Sequence, residues 1–161
     1  MQAVGVIVEY NPFHNGHFHH IQEAKRVTGA DVVVAVMSGH FLQRGEPALV
    51  DKWTRAEMAL KGGVDIVIEL PYVFCTGQAT QFAAGSTYLL DAMKCSTFAF
   101  GSETGTIEPF LHTYELMQKH EKLYNNTIKE AMKLGNSYPK ALHIAFEKLK
   151  TLTNKDVIDL N

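Results

Sequence analysis

One stretch near the N-terminus joins an apolar run, a proline turn and two histidines: Ala3-Val4-Gly5-Val6-Ile7-Val8-Glu9-Tyr10-Asn11-Pro12-Phe13-His14-Asn15-Gly16-His17. Its apolar first part has the composition of a buried strand, and the residues that follow have a helical pattern. A helix N-terminus after such a turn offers unpaired backbone N–H groups and a partial positive charge, which together attract phosphate. The stretch therefore predicts a phosphate site, with ATP as the leading ligand candidate.

Three residues of this turn are suited to phosphate binding. Gly16 has no Cβ, so a phosphate can approach the backbone closely there. His14 and His17 can donate imidazole N–H hydrogen bonds to phosphate oxygens, and such donors stabilise charge that builds up in a reaction. We therefore predict His14 and His17 as catalytic residues of a His-x-Gly-His element.

The surrounding histidines allow a second interpretation. His14, His17 and His20 are spaced by three, and the last two could share a helix face as zinc ligands. No Glu, Asp or Cys at ligand spacing follows closely to complete such a site, so phosphate binding is favoured and no metal ligand is assigned. His19 faces away from His14 and His17 on the helical period and is expected to be a surface residue.

Composition narrows the class of protein. The chain has 161 residues, with 46% hydrophobic and 20% charged side chains and a net charge of −2, as in ordinary soluble globular domains. This charge gives no overall electrostatic footprint for nucleic acid. Cys75 and Cys95 lack CxxC spacing and are expected to be reduced structural thiols. We see neither a signal peptide nor an apolar run near the ~18 residues of a membrane helix, and we predict a cytoplasmic protein.

The order of apolar and amphipathic segments predicts the fold. Four apolar runs predict buried strands over Val4–Val8, Val32–Met37, Asp65–Leu70 and Thr97–Phe100. Helical patterns lie between them, over His17–Val27, Asp51–Lys61 and Thr80–Met93. Alternating units of this kind predict an α/β, doubly wound parallel sheet, which binds ligands beyond the carboxyl ends of its strands.

The remainder of the chain has helical periodicity and no strand pattern. Helices are predicted over Ile107–Lys119, Tyr124–Leu134 and Tyr138–Leu152, with a turn near Gly135. We therefore predict a nucleotide-binding domain over residues 1–105. Residues 106–161 are predicted as a helical extension that packs on this domain or leads to a further region.

Other polar residues fall at the predicted ligand edge of the sheet. Gln43 and Arg44, in the loop Ser38–Pro47, can contact a phosphate or carboxylate, although a solvated turn would look the same. Lys52 could reach a triphosphate or lie along the surface, and Arg55 adds positive charge nearby.

Two further strand ends carry polar residues. Glu69 could orient a substrate or a metal, or could be a surface carboxylate. The segment Gly101-Ser102-Glu103 could admit an adenine or ribose because its glycine permits close approach, and a plain turn is the alternative.

Together these motifs resemble the HIGH-type nucleotidylyltransferase superfamily, in which an (H/T)xGH element binds ATP phosphates. A closer resemblance is to the bacterial tRNA(Met) cytidine acetate ligase family, and it rests on Gly5–His17, Met37–Ala48 and Asp65–Pro71. It implies a Rossmann-like sheet of the HIGH nucleotidylyltransferase type, followed by a helical tail. Since proteins of that family are much longer, the resemblance also implies that this chain corresponds to their N-terminal portion.

The resemblance further implies an enzyme that activates acetate with ATP as acetyl-adenylate and then acetylates the wobble cytidine of elongator tRNA(Met). It implies Mg²⁺ held mainly by ATP and water, and second-rank catalytic contacts from Arg44 and Lys52. The implied nucleotide-binding residues are Ile7, Val8, Glu9, Tyr10, Asn11, Pro12, Phe13, His14, Asn15, Gly16, His17, His20, Gly101 and Ser102.

Two rival functions would use the same sheet. A small-molecule adenylyltransferase of the coenzyme A or NAD type would carry the same phosphate site. A non-catalytic nucleotide or metal sensor would bind ATP or zinc without releasing pyrophosphate. The residues alone leave both open.

Overall fold

A computed structural model of the chain describes residues 1–102 and 105–159. It divides into two compact units, Met1–Gly101 and Ser102–Asn161. Within the described residues, no helix combines the length and apolarity needed to cross a bilayer.

The first unit is built on a four-stranded parallel sheet with the order β3-β2-β1-β4. Its strands are β1 (Ala3–Val8), β2 (Val32–Ser38), β3 (Ile66–Leu70) and β4 (Thr97–Phe98). The reversal of strand order beside β1 is the doubly wound topology, so the predicted fold class is confirmed. β4 has only two residues and is shorter than the predicted run.

Four helices flank this sheet, and they are α1 (Asn15–Thr28), α2 (Lys52–Lys61), α3 (Tyr72–Cys75) and α4 (Ala79–Ala92). The three long ones match the predicted helices to within two residues at each end. α1 begins earlier than predicted because His14 caps it, and it ends at Gly29, whose φ of 65° is left-handed. The single-turn helix α3 was not predicted.

The core lies on both faces of the sheet, which explains why the strands lack polar alternation. On one face, α1 and α2 pack over a cluster that includes Val6, Ile21, Ala35, Met37 and Ala59. On the other face, α3 and α4 contribute to a cluster of Val34, Val36, Leu70, Cys75 and Leu90.

The second unit contains three helices, α5 (Glu108–Lys119), α6 (Glu121–Lys133) and α7 (Tyr138–Lys150). They confirm the predicted helical pattern, although α6 starts three residues before the predicted Tyr124. Their shared core contains Leu116, Tyr124, Ala145, Phe146 and Leu149. Thr113 Oγ1 accepts a hydrogen bond from the Ile158 backbone N–H at 2.9 Å, which ties the last described residues to α5.

Gly5 provides a test of the packing between β1 and α4. A Cβ at this position would lie 2.6 Å from both terminal methyl carbons of the buried Leu90. Since β1 pairs on both sides, its backbone cannot move away. We expect Gly5→Ala to lower the free energy of unfolding by about 1–3 kcal/mol in urea denaturation. Gly101→Ala is the matched control, because a Cβ there meets no atom within 4 Å. An equal effect of the two substitutions would contradict this packing.

Candidate nucleotide-binding site

The site is built on the turn that carries the chain from the end of β1 to the start of α1. Tyr10 has a φ of 49°, in the left-handed region, and a cis peptide bond joins Asn11 to Pro12. These residues reverse the chain, so that His14 becomes the N-cap of α1 with an extended φ of −145°. The first turn of the helix is thereby placed beyond the carboxyl edge of the sheet, as the sequence predicts.

His14 and His17 cap this helix reciprocally. The Gly16 backbone N–H donates to His14 Nδ1 at 3.0 Å, and the His14 backbone N–H donates to His17 Nδ1 at 3.3 Å. Each ring accepts through Nδ1, so in the neutral imidazole the proton is on Nε2, on the opposite side of the ring. The capping bonds therefore leave both Nε2–H groups directed away from the helix backbone as donors.

Stacking holds the two imidazoles side by side. Their ring centroids are 3.7 Å apart with an interplanar angle of 26°. Tyr10 and Phe13 contact His17 on its other sides, with centroid distances of 4.8 Å and 5.6 Å. Tyr10 itself is buried, so the aromatic support is rigid. This arrangement presents two fixed donors at the N-terminus of α1.

Burial favours the neutral form of His17 and His20. Burial lowers the pKa of His17, and the neighbouring His14 and His20 lower it further. Burial, followed by the proximity of His19, lowers the pKa of His20. His20 Nε2 and the Tyr10 hydroxyl are buried and have no hydrogen-bond partner within the described residues. At neutral pH His17 is therefore uncharged, as its capping role requires.

These pKa shifts predict how stability depends on pH. Folding lowers the pKa of His17 and His20 from the ordinary value of 6.5, so near that pH the unfolded chain binds more protons than the folded one. The contribution of the two neutral histidines to stability is fully present above pH 6.5. It is lost as the pH falls through their lowered pKa values. We expect the free energy of unfolding to decline between about pH 7 and pH 5, and to decline less in His20→Gln. Urea denaturation at a series of pH values measures both slopes, and equal slopes would contradict the assignment.

Glu9 and Asn11, predicted as nucleotide ligands, use their side chains to hold the loop after β2. Glu9 Oε1 accepts from the Gln43 backbone N–H at 2.7 Å, and Asn11 Oδ1 accepts from the Leu49 backbone N–H at 2.7 Å. The turn after β1 and the loop after β2 are thus joined at two points. Nucleotide contacts by these two residues stay a prediction.

The loop after β2 forms a small hairpin over residues 40–48. Backbone hydrogen bonds of 2.9 Å close it between Leu42 and Glu46 and between His40 and Ala48. Gly45 has a φ of 80°, which the turn requires. Arg44 is exposed at the tip of this hairpin. A phosphate or carboxylate contact by Arg44 stays a prediction.

Arg55 is a residue whose role the sequence did not indicate. Its side chain is fully buried, and burial lowers the pKa of the guanidinium. It donates five hydrogen bonds, namely from Nη1 to Ser38 Oγ and the Glu9 carbonyl, from Nη2 to the carbonyls of Ser38 and Gly39, and from Nε to the Val50 carbonyl. Arg55 therefore ties the carboxyl ends of β1 and β2 to the start of α2. The sequence signal for its burial was its position four residues before the buried Ala59, on the same face of α2.

Lys52 and Glu69, both singled out from the sequence, form an ion pair beyond the ends of β2 and β3. Lys52 Nζ lies 2.6 Å from Glu69 Oε2, and the two side chains are 20% and 48% exposed. Lys52 Nζ also lies 5.0 Å from the centroid of the Trp53 ring. Within the described ranges, no group of three or more His, Cys, Asp or Glu side chains could hold a metal ion.

The segment after β4 is described only in part. A Cβ on Gly101 would meet no atom within 4 Å, so the backbone there is open to close approach. Ser102 Oγ accepts a hydrogen bond from the Gly105 backbone N–H at 3.0 Å. Glu103 lies outside the described residues. The predicted contacts with adenine or ribose stay predictions.

Comparison with known proteins shows which family this chain belongs to. The family model described as HIGH Nucleotidyl Transferase matches residues 1–161. A tRNA(Met) cytidine acetate ligase from Lysinibacillus sphaericus is 59% identical over 99% of this chain and 40% of its own length. A protein of the same name from Bacillus subtilis is 54% identical over 100% of this chain and 38% of its own length. The chain thus spans about 40% of the length of these relatives.

Two crystal structures share the fold. Thermotoga maritima TmcAL bound with alpha-thio ATP is 44% identical, with a TM-score of 0.83 over 94% of this chain and 37% of its own. The apo form of TmcAL is 43% identical, with a TM-score of 0.85 over 94% of this chain and 36% of its own. These matches confirm the resemblance predicted from the motifs. The chain belongs to the HIGH nucleotidyl transferase family.

Proposed function

We propose that this chain forms the ATP-binding and acetate-activating part of a tRNA(Met) cytidine acetate ligase. The observation that carries the proposal is the pair of capped histidines, because their Nε2–H groups and the N-terminus of α1 together suit a triphosphate. The names of the relatives support the substrate, and the alpha-thio ATP bound to TmcAL supports the nucleotide.

The first step is the activation of acetate. A carboxylate oxygen of acetate attacks the α-phosphorus of ATP in line, the bond from that phosphorus to the bridging oxygen breaks, and pyrophosphate leaves with the electron pair. Acetate is already anionic, so no general base is needed. His14 and His17 donate hydrogen bonds to the phosphate oxygens, and the dipole of α1 stabilises the charge that develops there.

The second step transfers the acetyl group to the tRNA. The exocyclic amine of the wobble cytidine attacks the carbonyl carbon of acetyl-adenylate, and the bond from that carbon to the phosphate oxygen breaks. AMP leaves with the electron pair, and the amine loses a proton. The anticodon loop suits this reaction because its bases are single-stranded and accessible. A tRNA substrate supports a cytoplasmic location, which belongs to this proposal.

Other residues complete the proposed site. Lys52 and Arg44 would contact acetate or phosphate as cations, and Gly101 and Ser102 would lie near the adenosine. Magnesium would enter with ATP and neutralise charge on the phosphates. Since the described residues contain no cluster of three or more metal-ligating side chains, its ligands would come mainly from the triphosphate and water. The nucleotide-binding role is assigned to residues 1–105, and residues 106–161 are assigned as a helical extension.

The incorporation of labelled pyrophosphate into ATP tests this function, because exchange requires an acceptor to attack the α-phosphorus reversibly. We expect exchange with acetate and none without it. Exchange only with phosphopantetheine or nicotinamide mononucleotide would replace the proposal with a small-molecule adenylyltransferase. Binding of Mg-ATP without exchange for any acceptor would instead indicate a non-catalytic nucleotide-binding module.

A further inference from the structure

A cavity of about 380 Å³ lies between α2 and the edge strand β3, separate from the capped histidines. Met37, Leu60 and Val67 contribute apolar walls, and Lys52, Trp53 and Glu69 contribute the aromatic and charged groups. Its volume falls in the range of about 300–1,000 Å³ that small-molecule sites occupy. An acetate ion would fill only a small part of it, so the cavity suits a larger ligand.

One carboxylate oxygen of Glu69, a residue that lines this cavity, is not engaged by Lys52. Lys52 bonds to Glu69 Oε2, whereas Oε1 has no hydrogen-bond partner within the described residues. Oε1 lies against the backbone of Gly39, where an added Cβ would be 2.4 Å from it. Gly39 and Lys52 thus fix the carboxylate while half of the side chain stays exposed. An ionised carboxylate only accepts hydrogen bonds, so this oxygen selects an N–H or O–H donor.

An aromatic surface lies beside this carboxylate. Trp53, the single tryptophan of the chain, is 72% exposed although it lines the cavity. An exposed indole next to a carboxylate is suited to a flat ring that carries an amino group, since bases stack on aromatic side chains and a Glu carboxylate accepts from the cytosine amine.

The strand register places this cavity beside the phosphate turn. Val8 pairs with Met37, and Met37 pairs with Glu69, so the three residues form one row across the sheet. At about 4.8 Å between strands, the backbone of Glu69 is about 10 Å from that of Val8. Val8 ends β1 and leads into the histidine turn. A ligand in the cavity would therefore lie close to a nucleotide that is bound on that turn.

We propose that this cavity takes the target cytosine, with the ring stacked on Trp53 and its exocyclic amine donating to Glu69 Oε1. This inference rests on the proposed function and assigns its second substrate to named residues. Lys52, which pairs with Glu69 Oε2, would then lie beside the bound cytosine. Uracil has a carbonyl oxygen where cytosine has the amine, so Glu69 would repel it.

The fluorescence of Trp53 tests this assignment directly. Cytidine and uridine are titrated into the intact chain, and quenching of the single tryptophan reports stacking. We expect cytidine to bind at least about tenfold more tightly than uridine, as one hydrogen bond to a charged acceptor allows. Glu69→Ala should remove this preference. Glu57→Ala is the matched control, because Glu57 also lines the cavity but pairs with Lys61 at 2.6 Å. Circular dichroism of both variants establishes that they fold.

Each other outcome overturns the assignment. Equal quenching by both nucleosides, or no quenching, would mean that the cavity does not recognise the amine. Loss of the preference in Glu57→Ala alone would show that Glu57, and not Glu69, recognises the amine. Displacement of cytidine by acetate would reassign the cavity to acetate. Calorimetric binding of Mg-ATP to the parent chain separates the two proposals, since intact ATP binding without cytidine binding counts against this inference only.

Discussion

Replacing Arg55 by alanine is expected to lower the free energy of unfolding by about 3–5 kcal/mol, which is among the largest effects of a single substitution. The guanidinium is fully buried and bonds to four backbone carbonyls. Without it these four carbonyls lose their donor, and each acceptor left unsatisfied costs about 1–3 kcal/mol. Part of this sum is offset, because the cost of burying the charged guanidinium is removed with the side chain. Urea denaturation followed by circular dichroism measures the change.

Two further substitutions test whether the loss of stability comes from the buried guanidinium of Arg55. Arg55→Lys keeps the charge but places one ammonium where a planar guanidinium reached four carbonyls, so we expect it to recover only part of the loss. Arg44→Ala removes an exposed arginine and should change the free energy of unfolding by less than about 0.5 kcal/mol. A loss below about 1 kcal/mol in Arg55→Ala would contradict the role assigned to this side chain.

His17→Ala is expected to lower the rate of acetate-dependent pyrophosphate exchange by about 10²–10³, the effect of removing one preorganised donor. The substitution removes the Nε2–H donor and also the cap on the His14 backbone N–H. Loss of that cap costs about 1 kcal/mol of stability, so the folded fraction is measured beside the rate.

His19 provides the control for this substitution. It lies exposed on the same helix, outside the reciprocal cap, so His19→Ala should keep the parent exchange rate. Equal rates for His17→Ala and His19→Ala would show that the capped ring does not act on the phosphates.

The fold could be predicted from the sequence because its signals are local. The β-branched run of β2 and the Gly29 that ends α1 each specify one element without reference to the rest of the chain. Alternation of these elements then leaves few topologies for a parallel sheet. The strand β4 is shorter than predicted and the single-turn α3 was not predicted, because both elements are determined by their neighbours in the fold.

The candidate site was predictable only in part, for a physical reason. His14, Gly16 and His17 lie within one helical turn, so their spacing alone places them together. Arg55 bonds to carbonyls that are up to 46 positions away in the chain, and no periodicity encodes such contacts. The same holds for the pair between Lys52 and Glu69, which depends on how α2 packs beside β3.

Calorimetric titration of Mg-ATP into the chain, beside His17→Ala and His19→Ala, determines whether the triphosphate lies on the turn before α1. If the capped histidines hold the triphosphate, the parent chain and His19→Ala bind with equal affinity, and His17→Ala binds at least about tenfold more weakly. Equal affinity in all three proteins would contradict the claim that the triphosphate lies on this turn.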